Sequence, residues 1–119
     1  MEDLTDRNSY VKATNADGIC ILEATVKPSN SQTSFEVNAI APFVDKMMKK
    51  YPDARFYKYD TEQAEDIAQE LGARQMPTFN LFKDGDIMGG VTGAKAEALE
   101  KLIVENYDGK VMEDAGSAT

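Results

Sequence analysis

Apolar residues recur along this chain with two periods, one typical of strands and one typical of helices. Runs that are apolar at nearly every position predict strands covered on both faces, and apolar residues three or four positions apart predict amphipathic helices. The predicted strands are Leu4–Asp6, Gly18–Thr25, Ala54–Asp60, the run before Asp84 and Ile87–Val91. The predicted helices are Arg7–Thr14, a long one from near Ser34 to Lys50, a short one that Gly72 closes, and Lys95–Tyr107.

Turn residues indicate how these elements connect. Asp84-Gly85 between two apolar runs predicts a tight hairpin, because the favoured two-residue turns need positive φ. Pro77 lacks an N–H group, so we expect it to begin a strand, lie at an edge or turn a corner. The element order β-α-β-α-β-α-β-β-α predicts parallel strands with crossover helices, followed by an antiparallel hairpin and a closing helix. The sequence therefore predicts an α/β fold.

The long predicted helix follows a polar loop at residues 26–33, whose proline, serine and asparagine residues favour turns. Pro42 lies inside the helix, where it removes a backbone hydrogen bond and is expected to bend the axis. Apolar residues at helical spacing define the side that we expect to face the sheet. They are Val37, Ile40, Val44, Met47 and Tyr51.

Length and charge limit the classes of protein that are possible. The chain has 119 residues, enough for one domain with its own core. We expect this domain to span residues 1–107, and residues 108–119 to form a flexible acidic tail. The net charge of −8 argues against binding to nucleic acid or to an anionic membrane. No signal peptide and no apolar run of the ~18 residues that a membrane helix needs are present, so we expect a cytoplasmic protein.

The cysteine and histidine content excludes several kinds of chemistry. Cys20 is the only cysteine, and there is no histidine. An internal disulfide, a zinc site of cysteine and histidine ligands, and catalysis by a Ser–His or Cys–His pair are therefore excluded. Cys20 lies in an apolar strand, where we expect a buried and unreactive thiol. The sequence predicts neither a metal site nor a cofactor.

The chain resembles thioredoxins. The residues that carry the resemblance are Met76-Pro77-Thr78 before the hairpin, Val91-Thr92-Gly93-Ala94 after it, and Tyr51-Pro52-Asp53 and Tyr59-Asp60 upstream. The likeness extends over about residues 4–107, nearly the whole chain. It implies a three-layer α/β/α sandwich with a mixed central sheet, and a cis peptide bond between Met76 and Pro77.

Thioredoxins react through a Cys-x-x-Cys pair where the central strand ends and the long helix begins. The helix N-terminus lowers the pKa of the first cysteine, so that its thiolate attacks a disulfide and the second cysteine resolves the mixed disulfide. A buried acid assists proton transfer to the resolving thiol. In this chain Glu23 takes the place of that acid.

Two registers place the family's cysteine positions on this chain. Counting forward from the buried acid gives Ser29 and Gln32, whereas counting back from the proline of the long helix gives Ser34 and Val37. The two counts differ by five residues, from 29 to 34 and from 32 to 37, so one segment near the helix start carries an insertion. Neither register contains a cysteine.

The resemblance also implies a groove for an extended peptide. In thioredoxins the residue before the cis-proline pairs through its backbone with the substrate, and a Gly-Ala loop forms the opposite wall. The matching residues here are Met76, Pro77, Thr78, Gly93 and Ala94. A methionine suits an adaptable apolar contact. A protein or extended peptide of unknown identity is therefore the expected partner.

Three hypotheses of function follow from the missing cysteine pair. The first is a redox-inactive thioredoxin-like protein, not an enzyme, that acts as an interaction or regulatory module through the cis-proline groove. The alternative is a thiol-dependent or reshaped-site enzyme of the thioredoxin superfamily. A second alternative is a structural or assembly subunit that uses its helical faces. On the cysteine count we expect the first.

Overall fold

Strands and helices follow one another in the predicted order. The computed structural model describes residues 1–26 and 31–112, with the backbone alone for residues 31–36. The strands are β1 (Glu2–Asp3), β2 (Ile19–Thr25), β3 (Arg55–Asp60), β4 (Thr78–Lys83) and β5 (Asp86–Thr92). The helices are α1 (Arg7–Asn15), α2 (Ser31–Lys50), α3 (Glu65–Leu71) and α4 (Ala96–Asn106).

The five strands form one mixed sheet in the order β1-β3-β2-β4-β5. Strands β1, β3 and β2 run parallel, β4 runs antiparallel to β2, and β5 runs antiparallel to β4. Strand β2 is central and is buried from Ile19 to Ala24, as its continuous apolar pattern predicts. The predicted α/β class and mixed central sheet are confirmed.

Helices cover both faces of the sheet, because successive side chains of a strand point to opposite sides. Ile19 and Ile21 of β2 face a core cluster that includes residues of α2 and α4. Cys20 and Leu22 face a second cluster, which includes residues of α1 and α3. The three layers that the resemblance implied are therefore present, with β2 between two separate apolar cores.

Local signals set the ends of several elements. The Asp6 side chain accepts a hydrogen bond of 2.8 Å from the Ser9 N–H group and caps α1. Gly72 closes α3 at φ 67°, in the left-handed region that glycine adopts without strain. Asp84 and Gly85 have φ values of 50° and 92°, which confirms the predicted hairpin turn.

Two predicted boundaries were wrong. Helix α2 begins at Ser31, not near Ser34, so the polar loop at residues 26–33 ends earlier than its turn-favouring composition predicted. Serine and threonine favour turns but are also tolerated within helices, so composition alone does not fix the residue at which this helix begins. The first strand is Glu2–Asp3 instead of Leu4–Asp6, and Leu4 follows it as a buried core residue whose N–H group still bonds to the Lys58 carbonyl oxygen.

The segment after α4 returns to the turn between α2 and β3. The Met112 N–H group donates a 2.8 Å hydrogen bond to the Lys50 carbonyl oxygen. The Lys110 N–H group donates one of 2.9 Å to the Asp53 carboxylate. Residues 113–119 lie outside the described residues, and the flexible tail at residues 108–119 stays a prediction. In the described part of the chain, no helix is both long enough and apolar enough to cross a bilayer.

Candidate functional site

Glu23 lies in the middle of the sheet, near the carboxyl end of β2. It is paired with Lys58 on β3 and with Phe79 on β4. Its side chain shares a face with Ile21, which is the face that α2 covers. Only 6% of Glu23 is exposed. A carboxyl group is thus held inside the protein at the position where the resemblance placed a buried acid.

A cleft of about 440 Å³ opens between β2, β3 and α2, and Glu23 forms part of its wall. We call it the Glu23 cleft. Its polar walls, among the described residues, come from Glu23, Thr25, Asn38, Asp45 and Lys58. The apolar walls come from Met1, Val26, Val37, Ala41 and Val44. Apolar surface with a few convergent polar groups is typical of small-molecule sites.

The environment of Glu23 changes its acidity. Burial disfavours the carboxylate and raises the pKa of Glu23 to about 7, while the nearby positive charge of Lys58 opposes that increase. A carboxyl group with this pKa exists in both protonation states near neutral pH. It can therefore accept a proton and return it, which is what general acid–base catalysis requires.

Cys20 lies on the other face of the sheet, three residues before Glu23. It is 0% exposed and belongs to the core cluster under α1 and α3. Burial raises the pKa of the Cys20 thiol to about 11, although the charge of Arg55 acts in the opposite direction. The prediction of a buried thiol is confirmed. Because alternate residues of a strand point apart, the thiol and the Glu23 carboxyl group cannot share one site.

The loop that contains Pro77 lies beside the loop that contains Gly93. The Met76–Pro77 peptide bond is cis, which confirms that prediction. The Gly93 N–H group donates a 2.8 Å hydrogen bond to the Pro77 carbonyl oxygen and brings the Gly93-Ala94 loop against the proline. Met76 is half-buried, and within the described residues its backbone groups make no hydrogen bond. An extended peptide can therefore pair with this backbone.

Only some of the positions that the two registers assign to the family's cysteines lie among the described residues. Ser29 lies outside the described residues. Gln32 and Ser34 lie in the first turns of α2, where the backbone alone is described. Val37 is half-buried and lines the Glu23 cleft. The two registers of this segment both stay open.

Two charged residues of the cleft were missed in the sequence. Lys58 lies beside Glu23 only through the parallel register of β2 and β3, which no local pattern reveals. Asp45 was one of several polar residues on the exposed side of α2. A buried glutamate in an apolar strand was nevertheless a signal to search for a nearby cation. Among residues 1–26 and 37–112, no group of three or more possible acidic, cysteine or histidine ligands could hold a metal ion.

A mixed sheet between two helical layers, with a cis-proline loop beside the end of its central strand, defines the thioredoxin fold class. The family model described as Thioredoxin matches residues 36–105. The chain therefore belongs to the thioredoxin family.

Relatives and solved structures agree with this assignment. The chain is 47% identical over 62 residues to Thioredoxin-3, mitochondrial, of Saccharomyces cerevisiae, covering 52% of this chain and 49% of that protein. It is 45% identical over 67 residues to Thioredoxin AMT13 of Alternaria alternata, covering 56% of this chain and 57% of that protein. The match thus spans about half the length of these curated relatives. The crystal structure of oxidized mitochondrial thioredoxin 3 from S. cerevisiae superposes with a TM-score of 0.80 at 30% identity, covering 88% of this chain and 94% of that one.

These comparisons contradict the first hypothesis of function. Thioredoxins are thiol–disulfide oxidoreductases, and relatives 40–47% identical to this chain carry that name. The expectation of a redox-inactive module that is not an enzyme was therefore wrong. It rested on the cysteine count, which excludes one mechanism and does not exclude enzymatic activity. The comparisons favour the alternative, an enzyme of the thioredoxin superfamily.

Proposed function

We propose that this protein is a reshaped-site enzyme of the thioredoxin superfamily that catalyses thiol–disulfide exchange between two bound substrates. The observation that carries the proposal is Glu23, a buried carboxyl group with a pKa of about 7 that opens onto the Glu23 cleft. The chain holds one cysteine, so it lacks a Cys-x-x-Cys pair of its own. Both reacting sulfur centres then come from the substrates.

Of the two forms of the enzyme alternative, the contacts favour the reshaped site over a thiol mechanism. The Cys20 thiol is sealed in a core, its pKa is raised to about 11, and it faces away from the cleft. A thiol in that state is a weak nucleophile at neutral pH and has no path to a peptide disulfide. Glu23 has the acidity that proton transfer needs and faces an open volume.

The exchange step balances without a further reagent. The Glu23 carboxylate takes the proton of the attacking thiol, whose sulfur bonds to one sulfur of the substrate disulfide. The original S–S bond breaks, and the leaving sulfur takes the proton from Glu23. The attacking thiol is oxidised and the leaving sulfur is reduced, so no other oxidant takes part.

The disulfide substrate in this proposal is an extended peptide or protein segment bound at the cis-proline groove. Met76 supplies a half-buried apolar contact, and its unpaired backbone supplies main-chain hydrogen bonds. Gly93 and Ala94 stand beside Pro77 as the facing wall. Thr78 pairs with Ala24, one residue beyond Glu23 on β2, so the groove and the carboxyl group meet at the same end of the sheet.

Glu23→Gln is expected to lower the protein-dependent exchange rate about a hundredfold, because general acid–base catalysis contributes at least this much and an amide cannot take the proton. The assay follows glutathione attacking a short extended peptide that carries a fluorescence quencher through a mixed disulfide. The ratio of catalysed to uncatalysed rate is expected to change slope near pH 7, at the pKa of Glu23.

Cys20→Ala is the control, and its exchange rate is expected to stay within about twofold of the wild-type rate, since the thiol takes no part. Two outcomes contradict the proposal. One is a wild-type rate no higher than that of buffer alone. The other is a rate that Cys20→Ala abolishes while Glu23→Gln retains it, which would assign the reaction to the thiol.

Met76→Asp is expected to weaken binding of the same peptide at least about tenfold, since an unpaired carboxylate would be buried at the apolar contact. Fluorescence anisotropy of the labelled peptide measures the dissociation constant. Met88→Asp is the matched control, because Met88 is an exposed methionine of β5 outside the groove. Equal weakening by both variants, or by neither, would rule out the groove as the peptide site.

A further inference from the structure

The proposed exchange requires an attacking thiol that this chain does not supply, so the second substrate needs a site of its own. The need for this second site rests on the proposed function, but the site itself can be tested by binding alone. The cis-proline groove already holds the disulfide substrate in that proposal. The Glu23 cleft lies at the same end of the sheet but has a lining of its own, because none of the five groove residues is among the described residues that line it.

The size of the Glu23 cleft suits a small organic molecule. Its volume of about 440 Å³ falls within the range of about 300–1,000 Å³ that small-molecule sites occupy. Glu23, although only 6% exposed, lines this volume and is directed into it. Burying a carboxyl group is costly unless something compensates, and such groups cluster at functional sites.

The cleft carries a cation on one wall and an anion on the other. Lys58 on β3 supplies the one cation among the described lining residues, and Asp45 on α2 supplies an exposed anion. The two belong to opposite walls, the sheet and the helix. Val37, Ala41 and Val44 line the helix wall between α2 and the sheet with apolar surface. A ligand with one negative end, one positive end and an uncharged middle matches this arrangement.

We propose that the Glu23 cleft binds a small zwitterionic thiol, a short-peptide thiol, with its carboxylate at Lys58 and its ammonium group at Asp45. The thiol group lies at Glu23, which takes its proton. The sulfur then bonds to the substrate disulfide as the original S–S bond breaks, and the leaving sulfur receives the proton. The two sulfur substrates exchange electrons only with each other.

Binding is tested without reaction by titrating the full chain with S-methylglutathione, whose sulfur is blocked and whose charged ends are intact. Isothermal titration calorimetry gives the dissociation constant. Lys58→Met is expected to weaken binding at least about tenfold, because a charge-assisted contact is lost. Lys49→Met is the matched control: it removes the same charge from the exposed face of α2, outside the cleft, and is expected to change the constant less than about twofold.

A second variant tests the other end of the ligand. Asp45→Asn is expected to weaken S-methylglutathione binding by about fivefold or more, since the ammonium contact loses its charge. Chemical shifts in ¹⁵N-labelled protein are expected to change at Thr25, Asn38 and Lys58 and to stay constant at Gly93. Absence of saturable binding, shifts centred on the groove, or equal effects of Lys58→Met and Lys49→Met would overturn the inference.

Exchange rates separate this inference from the proposed function. The protein is expected to accelerate exchange by glutathione at least about tenfold more than exchange by 2-mercaptoethanol, which lacks both charged ends. Equal acceleration of both thiols would overturn the zwitterion site and leave the role of Glu23 intact. Lys58-dependent binding of S-methylglutathione without acceleration of either thiol would support the site and contradict the proposed reaction.

Discussion

Phe79→Ala is expected to lower the free energy of unfolding by about 3–5 kcal/mol, a large share of the 5–15 kcal/mol that stabilises a typical domain. Phe79 is 0% exposed and lies in β4, between Glu23 of β2 and Val91 of β5. It belongs to the core cluster that α2 and α4 cover. Removing its ring leaves a cavity that a sheet bonded on both sides cannot easily close.

Urea denaturation followed by circular dichroism measures this effect as a lower midpoint at an unchanged m-value. Phe43→Ala is the matched control, because Phe43 is a phenylalanine of α2 that is 53% exposed. Its effect is expected to stay within about 0.5 kcal/mol. Similar losses for the two variants would mean that the Phe79 ring is not buried in the core.

Glu23→Gln is expected to remove a pH dependence of stability that the wild-type protein shows between about pH 4.5 and 7. Burial raises the pKa of Glu23 from 4.5 to about 7, so in this window the folded protein retains a proton that the unfolded chain has released. Unfolding therefore releases a proton, and the free energy of unfolding falls as the pH rises. Above pH 7 the free energy of unfolding falls no further, because Glu23 is ionised in both the folded and the unfolded protein.

The size of the effect follows from the shift in pKa. A rise from 4.5 to about 7 corresponds to about 3 kcal/mol at about 1.4 kcal/mol per pKa unit. Glutamine cannot ionise, so the variant is expected to gain about 3 kcal/mol relative to the wild-type protein between pH 4.5 and 8. The wild-type protein thus retains a group that costs stability at neutral pH, which is typical of functional sites.

Urea denaturation of both proteins at several pH values between 4.5 and 8 provides the measurement. Glu62→Gln is the matched control, since it removes an exposed carboxyl group of the same kind. Its stability curve is expected to run parallel to the wild-type curve within about 0.5 kcal/mol. If the Glu23→Gln curve runs parallel as well, the carboxyl group is not buried in solution.

Local chemistry explains why much of the fold could be predicted. The turn at Asp84-Gly85 needs positive φ, and that requirement depends on the two residues themselves. The apolar run from Ile19 to Ala24 predicts a strand with both faces covered, whatever covers them. The ends of the helices and strands were less predictable. Ser31, for example, can belong to a turn or to a helix start, and its neighbours in space determine which of the two it adopts.

The site was less predictable than the fold, because its properties depend on distant parts of the chain. The sequence by itself determined that Cys20 has no cysteine partner and that Glu23 interrupts an apolar strand. Only the tertiary structure placed Lys58 beside Glu23, since the two residues are distant in the chain and meet only through the pairing of β2 with β3. It also brought Val37 and Asp45 of α2 to the cleft that Glu23 lines. The pKa of Glu23 follows from that enclosure, because desolvation is a property of the assembled site and not of any one residue.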